Sequence, residues 1–162
     1  IPLGVEPLGV GDYLAASAAQ FQLRNAHYQH FLTSEHGGFG YRLVEEIDDR
    51  ASMWNLEARP ECAGCFSVAN LFTGGILGAN GNYGNIGYVY PGEYYFLEND
   101  TFYLESVPCT TEEADICVQL RSFGWDQVLG EDLKHGDDRL RELVLSDAPA
   151  KEGISNGFGR SP

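Results

Sequence analysis

The segment Phe66–Gly78 has the sequence FSVANLFTGGILG. Apolar Phe66 and Val68 stand two positions apart, and small polar Asn70 follows two positions later. An apolar-Leu-small triplet, Ile76-Leu77-Gly78, begins ten positions after the start. The same spacing occurs upstream in Phe21-Gln22-Leu23-Arg24-Asn25 with Phe31-Leu32-Thr33. It occurs again downstream in Val118-Gln119-Leu120-Arg121-Ser122 with Val128-Leu129-Gly130. Alternation at the first and third positions marks a strand with one buried face. Asn25, Asn70 and Ser122 fall where the chain turns, and such side chains stabilise turns through hydrogen bonds to nearby backbone. The triplet then opens the returning strand, so each copy is a hairpin.

A second half follows each copy. Tyr41-Arg42-Leu43-Val44 and Met53-Trp54-Asn55-Leu56 complete the first. Tyr88-Val89-Tyr90, a Pro91-Gly92 turn with Tyr94–Leu97, and Phe102-Tyr103-Leu104 complete the second. In the third, Leu140–Leu145 has to serve, with a spacing that also suits a short helix. Three four-strand repeats make an all-β chain of β-trefoil type, a closed six-strand barrel capped by three hairpins. Another antiparallel barrel or a sandwich is the alternative. The patterns FQLRNAHYQHFLT and FSVANLFTGGILG resemble those of the fascin-like and ricin-like trefoil families across about Gln20 to Leu145. The resemblance implies that fold. The ricin-type Gln-x-Trp signature is absent, because neither Trp54 nor Trp125 has Gln two positions before it.

The domain is expected over residues 20–147. Residues 1–19 are expected as an N-terminal arm, with Pro2, Pro7, Gly4, Gly9 and Gly11 ahead of a small-residue run. Residues 148–162 are expected as a flexible tail, broken by Pro149, Gly153, Gly157, Gly159 and Pro162. A chain of 162 residues with 43% apolar and 12% aromatic residues has enough material for one core.

The formal net charge is −14, from 24 acidic and 10 basic residues. Such a surface repels phosphate backbones and anionic membranes, which argues against nucleic acid as a partner. No apolar run approaches the roughly 18–20 residues that cross a bilayer, so no membrane insertion is expected. The chain begins at Ile1, which fits a processed secretory form. The four cysteines fall in two close pairs. Local bridges Cys62–Cys65 and Cys109–Cys117 are expected. Threefold symmetry would place Cys65 and Cys117 on different sectors, beyond the roughly 7 Å a disulfide tolerates. Asn99-Asp100-Thr101 is a glycosylation sequon on an expected turn. Together these features point to a secreted, extracellular monomer.

No nucleotide loop, dinucleotide fingerprint or nucleophile elbow occurs, and no cofactor or metal is expected. His27, His30 and His36 are close in sequence but read as surface residues. The acidic runs Glu45-Glu46 with Asp48-Asp49, and Glu112-Glu113 with Asp115, read as solvated loops. The stretch Gly78–Phe96 mixes Tyr, Asn and Gly as binding loops do. Tyr83, Asn82 and Asn85 from it, with Trp125 and Asp126 from the turn of the third repeat, are the expected ligand-binding residues. Trp54 is expected in the core. The leading reading is a lectin-like or host-interacting module that binds a carbohydrate or an extracellular protein through loops. A trefoil-type protease inhibitor, with Arg50 and Arg59-Pro60 in loops near Cys62, is the alternative. A small hydrolase using acidic residues comes third, with no paired carboxylates to support it.

Overall fold

A computed structural model describes residues 20–25, 28–46, 50–82, 84–106, 116–134, 137–146 and 158–161. It carries twelve strands among these residues. The first repeat is β1 (Phe21–Asn25), β2 (Phe31–Ser34), β3 (Tyr41–Val44) and β4 (Met53–Ala58). The second is β5 (Cys65–Ala69), β6 (Gly75–Asn80), β7 (Ile86–Pro91) and β8 (Phe102–Ser106). The third is β9 (Ile116–Ser122), β10 (Val128–Lys134), β11 (Asp137–Ser146) and β12 (Phe158–Ser161). First and fourth strands pair in a ring, β1–β4–β5–β8–β9–β12 and back to β1, all antiparallel. Second and third strands form the three hairpins β2–β3, β6–β7 and β10–β11. This is the β-trefoil expected from the repeats. Closure leaves the barrel strands no open edge.

The repeat positions predict the core. Phe21, Leu23, Phe66, Val68, Val118 and Leu120 are all buried, as are Leu32, Leu77 and Leu129 of the triplets. Trp54 is fully buried, and its indole N–H donates to the Leu32 carbonyl at 2.9 Å. A buried indole needs such a partner for its polar end.

The turn after the first strand is built three times from the same hydrogen bonds. The amide of Asn25, Asn70 or Ser122 donates to the carbonyl five residues on. The amide four residues on donates back to its carbonyl. The amide three residues on donates to its side-chain oxygen, at 2.7 Å from Tyr28, 3.0 Å from Thr73 and 3.2 Å from Trp125. The residue four on lies at positive φ in every copy: Gln29 at 63°, Gly74 at 80° and Asp126 at 53°. One backbone geometry thus accepts three different residues.

Two boundaries differ from expectation. The fourth strand of the third repeat is not within Leu140–Leu145, which belongs to the single long strand β11. It is β12, inside the segment expected as a tail from residue 148. Gly159 and Pro162 conceal it locally, yet β1 and β9 supply backbone partners on both sides, with Gln22 opposite Ser161 and Val118 opposite Phe158. Tertiary pairing overrides weak local propensity here. In the second repeat Tyr94 ends a short 3-10 turn, Gly92–Tyr94, and Tyr94–Leu97 form no strand.

Cys62 and Cys65 form the expected local disulfide, with Cα atoms 5.7 Å apart. Cys117 is also disulfide-bonded. Its expected partner Cys109 lies outside the described residues, as do the arm at 1–19 and the segment 147–157.

Candidate functional site

Where one repeat meets the next, the residue three after the turn's Asn or Ser meets the hairpin of the preceding repeat. The Thr73 hydroxyl pairs with Ser34 of β2, Trp125 packs on Gly81 just after β6, and the Tyr28 ring lies under Arg141 of β11. Ser34, Ala79 and Glu131 each directly follow the apolar-Leu-small triplet. The three junctions differ in chemistry.

At the junction of the third and first repeats, charge fills the space. Glu131 is fully buried, and one carboxylate oxygen lies 2.6 Å from His30 Nδ1 and 2.6 Å from Arg141 Nε. The Arg141 guanidinium lies over the Tyr28 ring at 3.7 Å. The Tyr41 hydroxyl accepts from the Leu143 amide at 2.8 Å nearby. Burial pushes the Tyr41 hydroxyl up to about 12, and the charges of Glu142 and Glu131 add to this.

At the junction of the second and third repeats, an indole fills the space. A Cβ on Gly81 would lie 2.8 Å from the Trp125 ring, so the glycine lets the ring pack against the backbone. Trp125 Nε1 donates to Asn99 Oδ1 at 3.2 Å. Of the residues expected to bind ligand, this junction gathers Trp125, half-buried, with exposed Asn82 and exposed Asp126. Asn85 is exposed on the same loop as Asn82, at a φ of 57°. Tyr83 lies outside the described residues. The sequon is folded in: Asn99 is half-buried, Thr101 is buried, and the Thr101 hydroxyl pairs with the Tyr95 hydroxyl at 2.6 Å.

The junction of the first and second repeats is open. A cleft of about 430 Å³ is lined by Ser34, Glu35, His36, Gly37, Arg42, Ala51, Phe72 and Thr73. At its floor the Ser34 and Thr73 hydroxyls pair at 2.6 Å. Glu35 and Arg42 form an ion pair at 3.1 Å on its wall. Phe72 stands beside it, 61% exposed. Glycine shapes this place: Gly38 has φ 81°, and a Cβ there would lie 2.9 Å from the Gly75 nitrogen. Only glycine permits both that conformation and that approach.

Next to the cleft runs a row of exposed rings. Phe39 and Tyr90 meet edge to face at 5.2 Å, and Tyr90 meets Tyr94 at 5.7 Å. Phe39 follows the 3-10 turn His36–Gly38, Tyr90 lies on β7, and Tyr94 ends the 3-10 turn Gly92–Tyr94. The Gly92 amide donates to the Gly74 carbonyl at 2.8 Å, which ties this row to the Phe72 turn. On β7 Gly87, Val89 and Pro91 are buried, Tyr88 is half-buried and Tyr90 is exposed. Alternation of tyrosines shows that they share a face and not which face is buried.

Tyr88 donates its hydroxyl to Asp100 Oδ1 at 2.6 Å, and the Phe96 amide donates to Asp100 Oδ2 at 2.7 Å. Burial raises the Asp100 carboxyl above its ordinary value, against the pull of both donors. Burial likewise raises the Tyr88 hydroxyl, and its bond to Asp100 adds to this. The loop Phe96–Thr101 is held by this pair.

The remaining candidates are dispersed. His36 lines the cleft, His30 serves Glu131, and His27 lies outside the described residues. Arg59 lies over the Tyr95 ring at 4.1 Å, and its amide donates to the Cys65 carbonyl. Arg50 is exposed in the 3-10 turn Arg50–Ser52. Glu45 and Glu46 are exposed, while Asp48, Asp49, Glu112, Glu113 and Asp115 lie outside the described residues. Sequence reasoning missed Phe39, Phe72, His36 and Arg42 as site residues. A phenylalanine directly after Gly37-Gly38, and another within the Asn70 turn, were the available signals.

No protein-family model matches the chain, and no curated protein sequence does. Solved structures do match. A designed threefold-symmetric protein, ThreeFoil, superposes with a TM-score of 0.63 at 12% identity, over 88% of this chain and 98% of its own. The cytolethal distending toxin of Haemophilus ducreyi superposes at 0.64 and 15% identity, over 98% of this chain and 89% of that one. The SDF2-like protein of Arabidopsis thaliana superposes at 0.61 and 14% identity, over 85% and 91%. At these identities the likeness shows the β-trefoil fold alone.

Proposed function

We propose that this chain is an extracellular binding module that recognises carbohydrate in the cleft between its first and second repeats. The observation that carries the proposal is the lining of that cleft. An exposed ring, Phe72, lines it together with paired hydroxyls, an acid–arginine pair and a histidine. Sugars present apolar C–H faces that stack on aromatic rings, and hydroxyls that exchange hydrogen bonds with such polar groups. The disulfide at Cys62–Cys65 and the sequon at Asn99 support an extracellular setting. The fold is shared with a toxin and with a designed protein, so the ligand is argued from the cleft and not from the fold.

A second reading places the ligand at the next junction, on Asn82, Asn85, Trp125 and Asp126, with Tyr83. The exposed amides and carboxylate around Trp125 favour it. A glycan array probed with the oxidised wild type, Phe72→Ala and Trp125→Ala separates the two. The cleft predicts binding to one sugar class that is lost in Phe72→Ala and kept in Trp125→Ala. The opposite pattern assigns the second junction, and a blank array for the wild type ends the carbohydrate reading.

A further inference from the structure

The ring row Phe39–Tyr90–Tyr94 lies outside the lining of the cleft. The three side chains are 54%, 48% and 58% exposed. Contiguous exposed apolar patches with a polar rim mark interaction sites. The polar ends of the row are unused: among the described residues neither the Tyr90 nor the Tyr94 hydroxyl has a hydrogen-bond partner. Glu93, between these tyrosines in sequence, is exposed and has no basic partner among the described residues.

Elsewhere the chain covers aromatic rings with its own guanidinium groups. Arg141 lies over Tyr28 at 3.7 Å, Arg59 over Tyr95 at 4.1 Å and Arg24 over Phe31 at 5.8 Å. Among the described residues no cation lies over Phe39, Tyr90 or Tyr94. With a net charge of −14, the molecule attracts cationic partners and repels anionic lipid, nucleic acid and its own copies. We infer that the row docks an arginine-bearing polypeptide segment, whose guanidinium groups stack on Tyr90 and Tyr94 and pair with Glu93. Stacking supplies the local specificity, and the overall charge supplies the encounter.

The probe is a synthetic peptide of alternating arginine and glycine, with a lysine–glycine peptide of equal length as control, titrated by calorimetry. The wild type binds the arginine peptide more tightly than the lysine peptide. Tyr90→Ala with Tyr94→Ala weakens it by about tenfold or more, or about 1.4 kcal/mol. Tyr90→Phe keeps the affinity, and Glu93→Gln lowers both affinity and salt dependence. The substituted rings are exposed, and an unchanged melting temperature verifies folding. Equal binding by wild type and double variant overturns the inference, because it shows general attraction to an acidic surface. No binding by the wild type overturns it as well. So does loss of glycan binding in the double variant with peptide binding intact, which would make the row part of the sugar site. The cleft itself is tested separately by Phe72→Ala, so the two proposals fail independently.

Discussion

Tyr41 links a single side chain to the behaviour of the protein in alkali. Its hydroxyl accepts the Leu143 amide and is held at about 12, against an ordinary 10.0. Between those values the unfolded chain releases the proton and the folded chain keeps it. The folded state then binds more protons, so stability falls as pH rises through this window. Tyr88 is shifted in the same direction and adds to the fall. Tyr41→Phe removes the acceptor for a backbone N–H, which costs about 1–3 kcal/mol at neutral pH. It also makes the decline above pH 10 shallower while leaving the part due to Tyr88. Urea denaturation midpoints of wild type and variant, at neutral pH and across the alkaline window, test both effects. An unchanged alkaline slope in the variant would show that Tyr41 is not the titrating group.

The turn that follows each first strand shows how much an element reveals about itself. The residue four after Asn25, Asn70 or Ser122 must take a left-handed conformation, and only the second copy places glycine there, at Gly74. A Cβ on Gly74 meets nothing within 4 Å, so substitution there isolates the backbone cost. Gly74→Ala is expected to destabilise by about 1–2 kcal/mol, and Gly74→Asn by less, because asparagine tolerates this conformation. Thermal melting should show a loss of about 2–4 °C per kcal/mol for a chain of this size. Equal melting temperatures for the alanine variant and wild type would contradict the left-handed conformation of Gly74. These turns were legible because the polar residue and the returning triplet keep the same spacing three times over. The strand β12 was not, because only pairing with distant β1 and β9 makes Phe158–Ser161 a strand. The exposure of Tyr90 was hidden for a related reason, since period two defines faces without saying which one the core takes.

At the scale of the molecule, threefold repetition makes the barrel and the departures from it make the site. The three junctions hold Ser34 with Thr73, Gly81 with Trp125, and Glu131 with His30 and Arg141. A cleft lies at the first set, while an indole packs at the second and a buried carboxylate is bound at the third. This contrast was illegible in the sequence, because Ser34 and Thr73 belong to different repeats and meet only when the barrel closes. Closure itself depends on the last strand. Removal of residues 158–162 exposes β1 and β9 as edges. The truncated chain is expected to lose its near-ultraviolet circular dichroism and its cooperative melt. A native melt would show that β12 does not close the barrel.

The cleft between the first and second repeats should take one sugar ligand per chain. The most direct test is a heteronuclear NMR titration of the oxidised protein with a glycan selected from the array. One-to-one saturation is predicted, with the largest shifts at Ser34, Glu35, His36, Phe72 and Thr73. Saturation centred on Asn82, Trp125 and Asp126, or at more than one site, would contradict the assignment of the cleft.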